Sequence, residues 1–352
     1  FTDSSNNIIF GDGNTWQALL GESILLWVVH FLVLRGVQTA ASINLMATMA
    51  KLIPLGLFII VALLAFNMDI FTLDFEGIKM GVPVWEQVKN TMLITLWVFI
   101  GIEGAVVVSA RAKNRRDVGL ATIFAVVIAL IIYILVTLLS QGLVSQSELA
   151  MMKNPSMAPL LVQLIGNIGE IVIAAGLILS VCGAYLSWTI MAAEVPYIAA
   201  LHHSFPKQLS KQNHNDAPSS SLWFTNLAVQ LSLVLIWLTG SNYNTLLTIA
   251  SEMILVPYFL VGAFLFKVAI ERSSRGLLLI AIPASLYGLW LLYASGVINL
   301  LLSVVLYAPG VLIFLYSRKQ YKDKQSLNTS EKILLMMVLI GAIPACGYLV
   351  FN

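Results

Sequence analysis

The chain has 352 residues, of which 59% are hydrophobic and only 10% charged, and its mean hydropathy is +0.91. A soluble domain carries about a quarter charged residues, so this composition belongs in lipid. A formal net charge of +2 gives nucleic-acid binding no electrostatic support.

A bilayer core takes about 20 apolar residues per helix. Stretches of that kind run from Ala18 to Leu34, Thr39 to Phe66, Val88 to Ala110, Leu120 to Leu143 and Glu170 to Ala199. They continue from Leu222 to Leu238, Thr245 to Phe266, Leu277 to Ala294, Val297 to Tyr316 and Ile333 to Phe351. About ten transmembrane helices are therefore expected, in an all-α polytopic membrane protein. A membrane β-barrel is disfavoured, because its strands are about ten residues long and alternate in polarity. The chain begins at Phe1 rather than methionine and shows no signal peptide, so an absent N-terminal portion is expected.

The charges test this segmentation independently. If the spans alternate, one set of connections holds Arg35, the cluster Arg111, Lys113, Arg115 and Arg116, then Lys207, Lys211, Lys267, Arg272 and Arg275. Arg318, Lys319, Lys322, Lys324 and Lys332 complete it, so it holds most of the 19 basic residues. The opposite set holds Lys79, Lys89 and Lys153 among several acids. Cytoplasmic loops carry the excess of Lys and Arg, which puts both ends of the chain outside. The apolar segment from Pro155 to Gly166 is too short to span and reads as an interfacial or re-entrant helix. The polar stretch from Ser204 to Ser221 reads as a cytoplasmic loop. The sequon at Asn328 falls on the cytoplasmic side and is read as chance.

The third span contains Trp97-Val-Phe-Ile-Gly-Ile-Glu-Gly-Ala. Glycines at 101 and 104 weaken a helix by about 1 kcal/mol each against alanine. An unwound turn at membrane depth exposes backbone carbonyls and two half-helix ends to a ligand. Carbonyls around Trp97 and Ile100 can accept from an ammonium, and the Trp97 face can lie against a cation. Glu103 then stands beside the site as a gate or switch, since a carboxylate at this depth commonly marks a substrate pathway. The alternative is that the glycines allow close helix packing and Glu103 is a satisfied interior acid.

Lys51 lies mid-span, either as a cation that braces two helices or as a titrating group that couples protons. Trp188 reads from its neighbours alone as core packing, with a second aromatic wall as the other role. Glu194, Glu252 and Tyr258 lie within spans near Pro196 and Pro257, where proline frees backbone groups. Glu22 and Glu170 are nearer span ends. His30 reads as a hydrogen-bonded interior residue, and His202, His203 and His214 lack metal-ligand spacing. The cysteines, Cys182 and Cys346, suggest neither a disulfide framework nor a metal site. There is no HExxH, GxSxG or GxxxxGK[ST] motif and no room for a soluble nucleotide domain, so no enzyme activity, cofactor or metal is expected. A membrane-embedded enzyme using Glu and His at the lipid boundary stays open as another class.

The strings Leu32-Val-Leu-Arg-Gly-Val, Ala50-Lys-Leu-Ile-Pro, Thr95-Leu-Trp-Val-Phe-Ile-Gly-Ile-Glu-Gly-Ala, Ser187-Trp-Thr, Ala193-Glu-Val-Pro-Tyr and Leu255-Val-Pro-Tyr resemble the amino acid–polyamine–organocation superfamily. Within it the chain is most similar to the basic amino acid/polyamine antiporters, particularly the bacterial arginine–ornithine antiporters. The resemblance implies two inverted five-helix repeats whose first and sixth helices are broken around the substrate. It divides the chain into residues 1–87, the remainder of the first repeat, residues 88–269, the second repeat, and residues 270–352, accessory helices.

It implies substrate-binding roles for Trp97, Ile100, Gly101 and Trp188, and gating or coupling roles for Glu103, Tyr258 and Lys51. Lys51 departs from the arginine–agmatine exchangers and resembles proton-coupled relatives. The family's first helix and most of its third have no counterpart here, so this stretch by itself is expected not to transport. The last span would be a thirteenth, beyond the twelve common in the superfamily. The implied activity is exchange of arginine for ornithine, or of related cationic amino acids or amines, across the bacterial cytoplasmic membrane. A proton-coupled amino acid permease is the alternative. The expected partners are those substrates and the lipid bilayer, with a homodimer as the assembly to test.

Overall fold

The computed structural model describes residues 13–77, 81–107, 109, 112–152, 156–240, 243–321 and 327–351, leaving aside the side chains of 37–43, 93, 115, 243–249, 297–299, 302 and 343–351. Among these residues there is no strand. The helices are α1 (Trp16–Leu34), α2 (Val37–Ala65), α3 (Met68–Thr72), α4 (Val84–Phe99), α5 (Gly104–Val107), α6 (Arg115–Gln141) and α7 (Gln146–Met151). They continue with α8 (Met157–Ile165), α9 (Asn167–Leu201), α10 (Ser219–Thr239), α11 (Tyr243–Glu271), α12 (Arg275–Ser295), α13 (Val297–Gln320) and α14 (Thr329–Phe351).

Seven of these contain a stretch long and apolar enough to cross a membrane among the described residues: α1, α2, α6, α9, α10, α11 and α12. The expected third span is α4 and α5, cut in two where the sequence is weakest. The last two expected spans are helical as α13 and α14. Large apolar side chains stay exposed along most of these helices, Phe124, Ile131 and Ile134 on α6 and Leu260, Val261 and Phe264 on α11 among them. In water such surfaces would collapse; in hydrocarbon they are solvated.

Packing falls into two groups. In one, α9 lies against α1, α2 and α10; in the other, α11 lies against α12 and α4. Both groups use small residues to bring backbones close, as membrane helices do without a hydrophobic drive between them. A Cβ on Gly176 of α9 would run into Pro54 of α2, and one on Gly183 into Ala47. On the other side, a Cβ on Gly288 of α12 would come within 2.9 Å of the Phe259 backbone of α11.

The short apolar segment is α8, nine residues that cannot span and whose Leu160 and Leu161 are buried against its neighbours. It follows α7, which is closed at its start by a capping box of Ser145 and Glu148. The stretch from Ser204 to Ser221 is a tightly bonded connection, more ordered than a polar loop reading implies. Asn213 donates through Nδ2 to the Leu34 carbonyl at the end of α1, at 2.8 Å, and its Oδ1 accepts from the Asn215 and Ala217 amides, each at 3.0 Å. Lys207 donates its amide to Gln320, Ser317 donates to the His203 carbonyl, and the His203 ring stacks on Tyr321 at 4.2 Å. The ends of α1, α9 and α13 are joined by these contacts.

Candidate functional site

The helix of the third span stops at Phe99. Ile100 is extended, with φ −62° and ψ 134°, Gly101 has φ +105°, and α5 restarts only at Gly104. Glycine is required at 101 because an L side chain is strained at that φ. A Cβ there would also stand 3.2 Å from the Trp188 ring, and a Cβ on Gly104 would strike Met191. Both ring and thioether belong to α9. The two glycines therefore serve the break and the close approach together, roles that the residues alone had set as alternatives.

The interruption is held from three sides. Glu103 Oε2 accepts from the Gly101 amide at 2.9 Å and from the Tyr258 hydroxyl of α11 at 3.0 Å. Tyr133 of α6 donates to the Val98 carbonyl at 2.9 Å, satisfying one group that the missing helical turn releases. The Ile100 amide closes back on the Trp97 carbonyl at 3.2 Å. The Ile100 carbonyl itself has no hydrogen bond among the described residues. The C-terminal, negative end of α4 faces this gap, which favours a cation.

Beside the break lies a cavity of about 570 Å³ lined by Trp97, Ile100, Trp188, Ala250, Met253 and Ile254. That volume falls in the range of small-molecule sites. Three of the four residues expected to bind substrate line it directly, and the fourth, Gly101, touches its Trp188 wall. Trp188 is 42% exposed, so it stands in the cavity rather than in a packed core. Glu103 and Tyr258 form the bonded pair next to it. The arrangement sets two tryptophan side chains and a helix C-terminus at one space with a bonded carboxylate beside it, and suits a small solute with a positive charge.

Sequence reasoning missed the α11 wall. Ala250, Met253 and Ile254 belong to an ordinary apolar span, and the nearest signal was Pro257, one turn further on. Tyr133 was missed as well. Lys51 stands apart: it lines a separate cavity of about 180 Å³ between α2, α8 and α9, with Pro54, Met157 and Ile173 among its neighbours. It makes no ion pair among the described residues. His30 is fully buried and its Nδ1 accepts from Asn226 Nδ2 of α10 at 3.0 Å, inside a ring of Trp27, Phe31 and Trp223. Glu194 and Glu252 are buried. Of the basic cluster, Lys113 and Arg116 are exposed, whereas Arg111 lies outside the described residues. No group of three metal-ligating side chains occurs among the described residues.

An amino acid permease family model matches residues 2–343. The chain belongs to the amino acid permease family. It is similar to a protein of Escherichia coli (strain K12) provisionally named an arginine/ornithine antiporter, 65% identical over 350 residues, which covers 99% of this chain and 75% of that one. It is similar to the arginine/ornithine antiporter of Pseudomonas aeruginosa, 43% identical over 357 residues, covering 96% of this chain and 73% of the relative. The arginine/agmatine antiporter of Chlamydia pneumoniae is 39% identical over 357 residues, covering 97% and 73%. Family membership and the apolar helices make this permease a multi-pass membrane protein, and the family is one of transporters.

Proposed function

We propose that this permease is a secondary-active antiporter that exchanges arginine for ornithine, or related cationic amino acids and amines, across the bacterial cytoplasmic membrane by alternating access. The observation that carries the reading is the bonded break of α4 and α5 beside a cavity with two tryptophan walls. The names of the relatives agree with it. Trp97 and Trp188 take the cationic head between their faces, the Ile100 carbonyl accepts from the ammonium or guanidinium, and Gly101 supplies the turn that makes room. Glu103 and Tyr258 form the gate. No covalent chemistry is required, and the two substrate gradients drive exchange.

The division into a remainder of the first repeat (residues 1–87), a second repeat (88–269) and accessory helices (270–352) rests on the resemblance, and the packing groups cut across it, α9 and α10 lying with α1 and α2 while α12 lies with α4 and α11. Rocking of the second group on the first is the motion that alternates access. Lys51, seated between α2 and α9 of the first group, either braces the pair or couples protons. A pH profile of exchange that changes with Lys51→Met would assign it to proton coupling, and one that does not would leave the brace.

The test is counterflow. Proteoliposomes loaded with ornithine are expected to take up labelled arginine, and empty vesicles are expected not to. Uptake into empty vesicles driven by a proton gradient would replace the antiporter with a proton-coupled permease. Conversion of arginine to a new product in detergent, where no compartment exists, would replace transport with catalysis.

A further inference from the structure

Glu252 sits on α11, one residue before Met253 of the cavity wall, but is not among the residues that line that cavity. It is only 4% exposed, and its Oε1 has no hydrogen-bond partner among the described residues. The facing side of α12 follows from the register of the two helices. Gly262 lies against Ala284 and Ser285, and Phe259 against Gly288, so positions on the two chains run in opposite directions. Glu252 is seven residues before Phe259, and Ser295 is seven after Gly288. Seven residues are two helical turns, which return each helix to the same face. Glu252 therefore stands opposite Ser295, the last residue of α12, which is itself buried.

The titratable groups on the helices packed against this stretch include Glu86 and Lys89 of α4, Tyr287 and Tyr293 of α12, Tyr307 of α13 and Tyr258 on α11 itself. Tyr258 is bonded to Glu103. Lys89 of α4 is turned over the Tyr293 ring of α12, 5.4 Å from its centroid. Tyr307 of α13 donates to the Met253 carbonyl. None of them pairs with Glu252 among the described residues. An ionised carboxylate in hydrocarbon with a buried oxygen lacking any donor is far more costly than the neutral acid.

We propose that Glu252 is a proton-binding site, holding its proton while α11 and α12 are packed and releasing it when they part. On release the carboxyl O–H bond breaks heterolytically, the proton passes to a water molecule as hydronium, and the carboxylate keeps the electron pair. The proton stabilises the packed conformation. That stabilisation is present at low pH and is lost as pH rises, with a limiting dependence of about tenfold in the conformational equilibrium per pH unit for one proton. The site lies near the end of α12 on the outer side, so the outer solution is the phase that exchanges with it.

Two measurements on the full-length protein test this, one of them independent of any substrate. Infrared spectra of the wild type at neutral pH should contain the carbonyl band of a protonated carboxyl group. The band should be absent in Glu252→Gln and retained in Glu103→Gln. Its persistence in Glu252→Gln, or its absence from the wild type, overturns the proposal whatever the protein carries. In proteoliposomes, the dependence of exchange on external pH should flatten in Glu252→Gln and return, with a displaced midpoint, in Glu252→Asp. A Glu252→Gln profile that follows the wild type overturns it as well. Failed counterflow with an intact infrared result would overturn the antiporter reading and leave the proton site standing.

Discussion

The Glu103 carboxylate and the Tyr258 hydroxyl meet at 3.0 Å, and their bond ties the interrupted segment between α4 and α5 to α11. The same carboxylate oxygen accepts from the Gly101 amide, so the local turn and the long-range contact depend on one atom. A hydrogen bond to a charged group contributes about 1.5–3 kcal/mol, enough to shift a two-state equilibrium roughly ten- to hundredfold. Tyr258→Phe removes the tether and keeps the ring. Vesicles loaded with labelled substrate should then leak into medium without external substrate about tenfold faster than wild type. An unchanged leak would remove this bond from the gate.

Gly101 is held at φ +105° with the Trp188 ring against it. An L side chain in the left-handed region costs about 1–2 kcal/mol, and here it would also push the aromatic wall. Gly101→Ala should reduce exchange at least about tenfold while helix content by circular dichroism stays the same. Gly166→Ala is the comparison, because Gly166 has φ +73° with open space around its Cβ position. It should lose some thermal stability and keep its exchange rate. Equal losses in both variants would mean that backbone strain alone matters at 101.

The two tryptophans predict a discrimination by charge. A cation over an indole face contributes about 0.5–2 kcal/mol, so Trp97→Leu and Trp188→Leu should each raise the KM for arginine by a factor of about 2 to 30. Phenylalanine at either position should recover much of the loss. Inhibition by an uncharged analogue such as citrulline should change less than arginine transport does. If the leucine variants weaken charged and uncharged ligands equally, the walls act through shape.

Much of this site was legible because its signals are local. Gly-Ile-Glu-Gly in an apolar run names a break from four consecutive residues, which the structure places between Phe99 and Gly104. The residues that complete the site are distant in sequence and chemically ordinary. Nothing in Ala250, Met253 and Ile254 separates them from any other apolar face until α11 is packed against α4. Tyr133 reads as an aromatic in a lipid-facing span; only the fold brings its hydroxyl to the Val98 carbonyl. Lys51 was legible as an intramembrane cation, yet its cavity is separate from the tryptophan cavity, and that separation depends on how α2 turns against α9.

The connection from Ser204 to Ser221 was the least legible element, since its partners Leu34 and Gln320 lie more than a hundred residues from the residues that they bond. Asn213 is its centre: one amide side chain donates to the end of α1 and accepts two amides of its own turn. Losing those bonds in Asn213→Ala should destabilise the protein by about 1–3 kcal/mol, the groups left behind being able to reach water. Thermal unfolding followed by size-exclusion chromatography should show the midpoint lowered by about 3–10 °C. Asn213→Asp keeps the acceptor and loses the donation to Leu34, so its midpoint should fall less. At temperatures where both variants are folded, their arginine KM should equal that of the wild type, because this turn lends the tryptophan cavity no side chain. A raised KM in the folded variants would show that these ends of α1, α9 and α13 are coupled to the site itself.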